Sequence, residues 1–150
     1  MKNILIVFAI LLFLSCDEQK VIYYEYNDIV VTRIDKGNKI YFYYNKCNNK
    51  SIPCSNSYVL ATYSGLNSGM NAYLEFKPNK TVDIIRIYGD FEKTGNDISI
   101  NLINMSNIAF FEWEKNINQN FNNIAEVWDI TNLEKKRNLK NNSKVKATYF

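Results

Sequence analysis

Along most of this chain apolar and polar side chains alternate with a period of two, the pattern of strands with one buried and one wet face. Residues 21–26 open the series. Residues 28–35 and 39–44 flank Lys36-Gly37-Asn38, a three-residue turn with an easy left-handed position. That turn sets Ile34 opposite Ile40, Thr32 opposite Phe42 and Val30 opposite Tyr44, giving one apolar face. Val31, Arg33, Tyr41 and Tyr43 then share the other face. Residues 58–63 form a further strand. A second hairpin runs through 72–77 and 81–88 around Pro78-Asn79-Lys80, with Phe76 opposite Val82 and Leu74 opposite Ile84. It also sets Glu75 opposite Asp83, a like-charge pair and a mild strain unless a lysine or another cation stands near.

Beyond the second hairpin the pattern is less uniform. Residues 89–96 read as a turn and 98–103 as a strand. Residues 108–114 and 124–130 are short apolar runs that fit strand or helix, and polar 116–123 breaks both. Residues 133–139 read as one or two helical turns and 145–150 as a closing strand. The sum is an all-β, mainly antiparallel fold: a β-sandwich or small barrel of about 8–10 short strands with at most one short helix.

Only the N-terminus breaks the alternation outright. Met1-Lys2-Asn3 is a short positive start, and residues 4–14 are an unbroken apolar run of eleven. Ser15-Cys16 follows, then Asp17-Glu18-Gln19-Lys20. Eleven residues is the length of a signal-peptide core, whereas a spanning helix needs about 20. Phe13-Leu14-Ser15-Cys16 resembles the lipobox of bacterial lipoproteins, where a small residue precedes a Cys that receives a diacylglyceryl group before cleavage. Ser15 and Cys16 match that pattern; Phe13 stands where Leu is usual, and Leu14 where Ala, Ser or Thr is. The resemblance covers about sixteen residues. It implies a signal peptide over 1–15, lipid (palmitate-type acyl chains) on Cys16, and a tether over 16–20. The product is then anchored to a membrane of the bacterial cell envelope. Several acyl chains at ~0.8 kcal/mol per buried CH₂ hold far better than one. An ordinary secretory signal and an uncleaved anchor are the competing readings. The acidic Asp17-Glu18 is compatible with inner-membrane retention and with surface export, so the choice of membrane stays open.

Composition narrows what the rest can do. Residues 21–150 suffice for a single β-rich domain with a real core. Aromatics reach 15%, with eleven Tyr, which suits strands and half-wet surfaces. Net charge is only +3, but residues 134–150 hold six basic residues against Glu134 alone, a basic C-terminal end on a mildly acidic body. That end is read as solvated, or as attracted to anionic head groups; nucleic acid is not expected as a partner. There is no His, which excludes Ser-His-Asp and Cys-His catalysis and His-ligated zinc within this chain. With Cys16 lipidated, Cys47 and Cys54 remain, spaced C-x6-C around a polar loop with Pro53. In an oxidising compartment they read as one disulfide, which by the chain-entropy argument contributes about 2.5 kcal/mol. Two thiolates without His make a poor zinc site, so no metal and no cofactor is expected.

The remaining constellations are weak. Ser64-Gly65-Leu66-Asn67-Ser68-Gly69 lacks the G-x-S-x-G arrangement and any His base. Asp90, Glu92, Asn96 and Asp97 around Gly95 do not follow a calcium-loop pattern. Glu112 and Glu114 flank Trp113 and, on a strand, point the same way, as glycosidase carboxylates would need. The aromatic runs 23–26 and 41–44 place half their rings outward. Arg33, Tyr41 and Tyr43 are therefore the candidate binding patch, unless a second layer covers them. The expected function is a non-catalytic, lipid-anchored binding or structural module with a protein or glycan partner. The alternatives are an immunity-type lipoprotein that neutralises a toxin and a His-free carboxylate hydrolase.

Overall fold

The computed structural model describes residues 19–47, 52–62, 71–117, 122–128 and 143–150. They form a mainly antiparallel β-sandwich with one short helix. The first sheet contains β1 (Lys20–Tyr26), β2 (Ile29–Lys36), β3 (Lys39–Tyr44), β4 (Tyr58–Thr62), β7 (Asp90–Thr94) and β10 (Lys146–Tyr149). The second contains β5 (Asn71–Phe76), β6 (Val82–Tyr88), β8 (Ile100–Asn104) and β9 (Ile124–Trp128). Spatial order is β10-β1-β2-β3-β4-β7 in one and β8-β6-β5-β9 in the other. Neither sheet closes on itself, so the sandwich expectation holds and the barrel does not. β6 and β8 pair in parallel; the other named pairs are antiparallel.

Three apolar clusters result from the alternation. Between the sheets, Ile22, Tyr24, Val31, Ile40, Phe42 and Val59 meet Leu74, Phe76, Val82, Ile84, Ile100 and Val127. The outer face of the second sheet is covered by helix α1 (Asn107–Ile117), whose Phe110 and Trp113 pack on Tyr73, Ile85 and Ile124. The outer face of the first sheet holds Val21, Ile34 and Tyr43 under Cys47, Ile52 and Cys54.

The second hairpin has the expected register, Phe76 opposite Val82, Leu74 opposite Ile84 and Glu75 opposite Asp83. The awaited cation is Lys77, whose Nζ lies 2.8 Å from Glu75 and 3.4 Å from Asp83. The first hairpin is slipped by one residue from the expectation. Ile34 faces Tyr41, Thr32 faces Tyr43 and Lys36 faces Lys39 across a two-residue turn. Gly37 at φ +57° supplies the positive first position such a turn needs. Because a one-residue slip exchanges the faces, Arg33 shares the inner face with Phe42 and Ile40. β2 is buried on both faces from Val31 to Asp35, so its polarity pattern could not pin the register.

Residues 89–96 are not a turn but strand β7, bracketed by Gly89 at φ +100° and Gly95 at φ +80°. β7 lies at the edge of its sheet; Phe91 packs against the core, while Asp90 and Glu92 are exposed, as edge strands tolerate. A Cβ on Gly95 would stand 2.5 Å from the Asn56 carbonyl oxygen, so close packing as well as φ demands glycine there. Of the two ambiguous runs, the first is helical. Ser106 accepts a bond from the Ala109 N–H (3.2 Å) as an N-cap. The second is strand β9, with Ala125 and Val127 inward and Ile124 towards the helix. The expected helical turns at 133–139 lie outside the described residues.

Candidate functional site

Cys16 lies outside the described residues; β1 begins four positions after it. Cys47 and Cys54 stand at disulfide distance, Cα atoms 6.0 Å apart. Cys47 is fastened to the first sheet: its N–H donates to the Thr32 hydroxyl (3.1 Å), and the Tyr23 hydroxyl donates to its carbonyl (3.1 Å). Thr32 in turn donates to the Asn45 carbonyl (2.7 Å). Cys47, Ile52 and Cys54 therefore cover the outer side of β1, β2 and β3.

That cover removes the candidate patch. Arg33 and Tyr43 are each only 1% exposed, Tyr41 is half-buried, and Arg33 lies on the opposite face of the sheet from both rings. Tyr43 lies parallel to Tyr41, centroids 6.3 Å apart, and tilts against Tyr58 at 5.8 Å. Among the described residues its hydroxyl is buried without a well-formed hydrogen bond; the Cys54 backbone faces it without closing one. Burial pushes the Tyr43 phenol up to about 12, and the neighbouring Tyr41 and Tyr58 add to the rise.

Arg33 instead makes a two-pronged ion pair inside the sandwich. Its Nε donates to Asp35 Oδ1 at 2.7 Å and its Nη2 to Oδ2 at 2.9 Å, with both side chains buried. Positions 33 and 35 share a strand face, so the geometry follows from β2 itself. The Tyr24 phenol beside them is raised by burial, against the opposing pull of Arg33. Asp35 also lines a cavity of about 320 Å³ with Gln19, Lys20, Ile22, Tyr149 and Phe150 at the start of β1.

Another concavity lies at the other end of β1. A groove of about 480 Å³ opens between the β1–β2 turn, the β5–β6 turn and Asn122-Asn123. Tyr26 and Phe76 form its apolar wall, ring centroids 5.7 Å apart. Asp28 and Lys80 form an exposed ion pair across its mouth. The hydrogen bond from Lys80 holds the Asp28 carboxyl below its usual range, and the same bond raises the Lys80 ammonium. Two bonds fix the rim: Tyr44 donates its hydroxyl proton to the Lys80 carbonyl (2.7 Å), and Asn123 donates to the Phe76 carbonyl (2.7 Å). The groove thus offers a ring, amides, a carboxylate and an ammonium, a set suited to a hydrogen-bonding ligand. The sequence places Asp28 at the start of a strand, Lys80 in a turn and Asn122-Asn123 in a polar stretch, with nothing to bring the three together.

The carboxylate candidates are dispersed. Asp90 and Glu92 are exposed on β7, and the Asp97 carboxylate accepts the Ser99 N–H (2.8 Å). Positions 112 and 114 fall on helix α1 rather than on a strand, and residues two apart lie roughly 200° apart around a helix axis. The 64–69 loop lies outside the described residues. Among the described residues no group of three or more His, Cys, Asp or Glu is placed to hold a metal, and no helix is long and apolar enough to cross a membrane. Of the basic end, Lys144 and Lys146 are described; Lys146 stands opposite Glu25 in the β1–β10 register and the Lys144 N–H donates to the Asn122 carbonyl (2.9 Å), so both stand at the groove end.

Comparison with protein-family models, curated proteins and solved structures finds no match to this chain. The groove and the ion pair therefore stand on their geometry alone.

Proposed function

We propose that this chain is an exported lipoprotein, anchored through Cys16, that works as a non-catalytic binding module. The observation that supports it is polarity along β1. The strand starts at Lys20, four residues from Cys16, and ends at Tyr26 on the groove wall, about 20 Å further at ~3.3 Å per residue. An anchored domain of this shape holds its groove on the side away from the lipid. The ligand is an envelope or extracellular molecule that hydrogen-bonds to Asn27, Asp28, Lys80 and Asn123 and lies against Tyr26.

Two measurements test this. Cys16→Ala should release the protein from the membrane fraction or leave an uncut precursor; an unchanged lipidated, membrane-bound product overturns the anchor. The purified lipoprotein is then screened against envelope glycans and against envelope proteins. Asp28→Lys changes only exposed surface and reverses the charge at the groove mouth. A ligand bound about tenfold more weakly by that variant locates the site in the groove. A ligand bound equally by both proteins places binding elsewhere.

A further inference from the structure

One end of the first sheet collects the start of β1, the β2–β3 turn and the finish of β10. Lys20 pairs with Asp35 there, and Lys36 and Lys39 face each other across the turn, both exposed. Tyr149 and Phe150 are 60% and 73% exposed. Their exposure is not that of a loose end. The Phe150 N–H donates to the Val21 carbonyl (2.8 Å), the Val21 N–H donates back to Phe150 (3.1 Å), and the Phe150 ring meets Tyr23 edge-on at 5.3 Å. The backbone thus holds both rings at this end of the sheet, Tyr149 beside Ile22 on the inner face and Phe150 beside Val21 on the outer one.

The tether says what lies opposite. Three residues separate Cys16 from Lys20, so a lipidated Cys16 keeps β1 within about 14 Å of the bilayer surface even when fully extended. The charge also fits. Asp35 is neutralised by Arg33, and among the described residues the exposed acidic side chain at this end is Asp90, two strands beyond β3. Asp17 and Glu18 of the tether offset part of the lysine charge, which leaves the rings to supply the rest of the contact. Aromatic side chains and lysines are the residues that settle at the boundary between head groups and acyl chains.

We propose that this end is a membrane-contact face. Lys20, Lys36 and Lys39 meet anionic head groups while Tyr149 and Phe150 enter the interfacial layer, and the domain stands upright on the bilayer with its groove outward. The proposal rests on the anchor reading. Each lysine contributes about a fivefold bias towards the standing orientation.

The test is amine acylation of the full lipidated protein, read by mass spectrometry lysine by lysine. The protein is placed in vesicles of equal parts phosphatidylcholine and phosphatidylglycerol, in pure phosphatidylcholine vesicles, and in detergent micelles. Intact mass first establishes the lipid on Cys16. Lys20, Lys36 and Lys39 should react several-fold more slowly in the anionic vesicles than in micelles, while Lys77, Lys80 and Lys144 at the other end keep their rates. Lys36→Glu with Lys39→Glu, on an exposed turn, should abolish the protection of Lys20. Equal rates at both ends with Cys16 lipidated overturn the contact face and leave the anchor intact. Equal protection of the three lysines in micelles and in anionic vesicles means that the shielding does not need anionic head groups, which also overturns it. An unlipidated Cys16 overturns the anchor and this proposal together.

Discussion

Replacing Tyr43 by Phe removes one oxygen and leaves the ring in place between Tyr41 and Tyr58. A hydroxyl buried without a partner costs about 1–3 kcal/mol, because folding strips its water and returns little. The Cys54 backbone offsets part of that cost, so Tyr43→Phe should stabilise the fold by about 1–2 kcal/mol in urea unfolding at neutral pH. Alkaline titration gives an independent check. The phenol titrates near 10 when unfolded and about 12 when folded. Below pH 10 both states keep the proton; between 10 and 12 only the folded state does, so the contribution of this group to stability falls as pH rises through that window. The slope is up to about 1.4 kcal/mol per pH unit for one proton, and Tyr43→Phe should lose it. Measured at a series of pH values from 8 to about 11, the variant's stability curve should be the flatter one. A variant that is less stable by more than about 1 kcal/mol, with the same alkaline slope as the parent, would show that the hydroxyl is well satisfied and refute the reasoning.

Three further outcomes follow from the packing. Arg33→Met should cost about 3–5 kcal/mol by leaving the Asp35 carboxylate buried without its guanidinium, and the double change Arg33→Met with Asp35→Leu should recover most of it; equal losses in both variants would argue against the pair. Lys77→Met should cost about 1 kcal/mol by exposing Glu75 to Asp83 across the strands, and the loss should shrink in high salt, measured as urea midpoints at two ionic strengths. Burial alone would lower the Lys77 ammonium, but the two carboxylates prevail and raise it, so this stabilisation should persist up to alkaline pH. Gly95→Ala should lower stability by more than about 2 kcal/mol, since its Cβ would clash with the Asn56 carbonyl oxygen at a positive φ; a thermal midpoint within a degree or so of the parent would contradict that.

The sandwich was legible where polar residues mark a strand face. β5 and β6 were registered by Glu75 opposite Asp83 and by the Pro78-Asn79-Lys80 turn, although Tyr73 and Ile85 on that same face are buried under the helix. β2 was not legible in this way, because Val31 to Asp35 is buried throughout and the turn length alone decided which face each side chain took. That single slip moved Arg33 from a supposed surface patch into the interior. β7 was obscured by its charges, which read as a turn although an edge strand exposes just such residues. The helix was undecidable in isolation: Phe110 and Trp113 only become a helix face once Tyr73 is there to receive them. The groove was beyond reach of the sequence for a similar reason, since Asp28 and Lys80 belong to turns of different sheets. The pairing of Cys47 with Cys54 was open to simple counting.

The pairing of β1 with β10 sets an order of assembly. β1 is the first of the described strands to be synthesised and β10 the last, so the outer edge of β1 waits for almost all of the described chain. Throughout that interval it presents unpaired backbone groups beside Ile22 and Tyr24, a template on which a stray strand could dock. A chain cut short before Lys146 would carry that vacancy permanently.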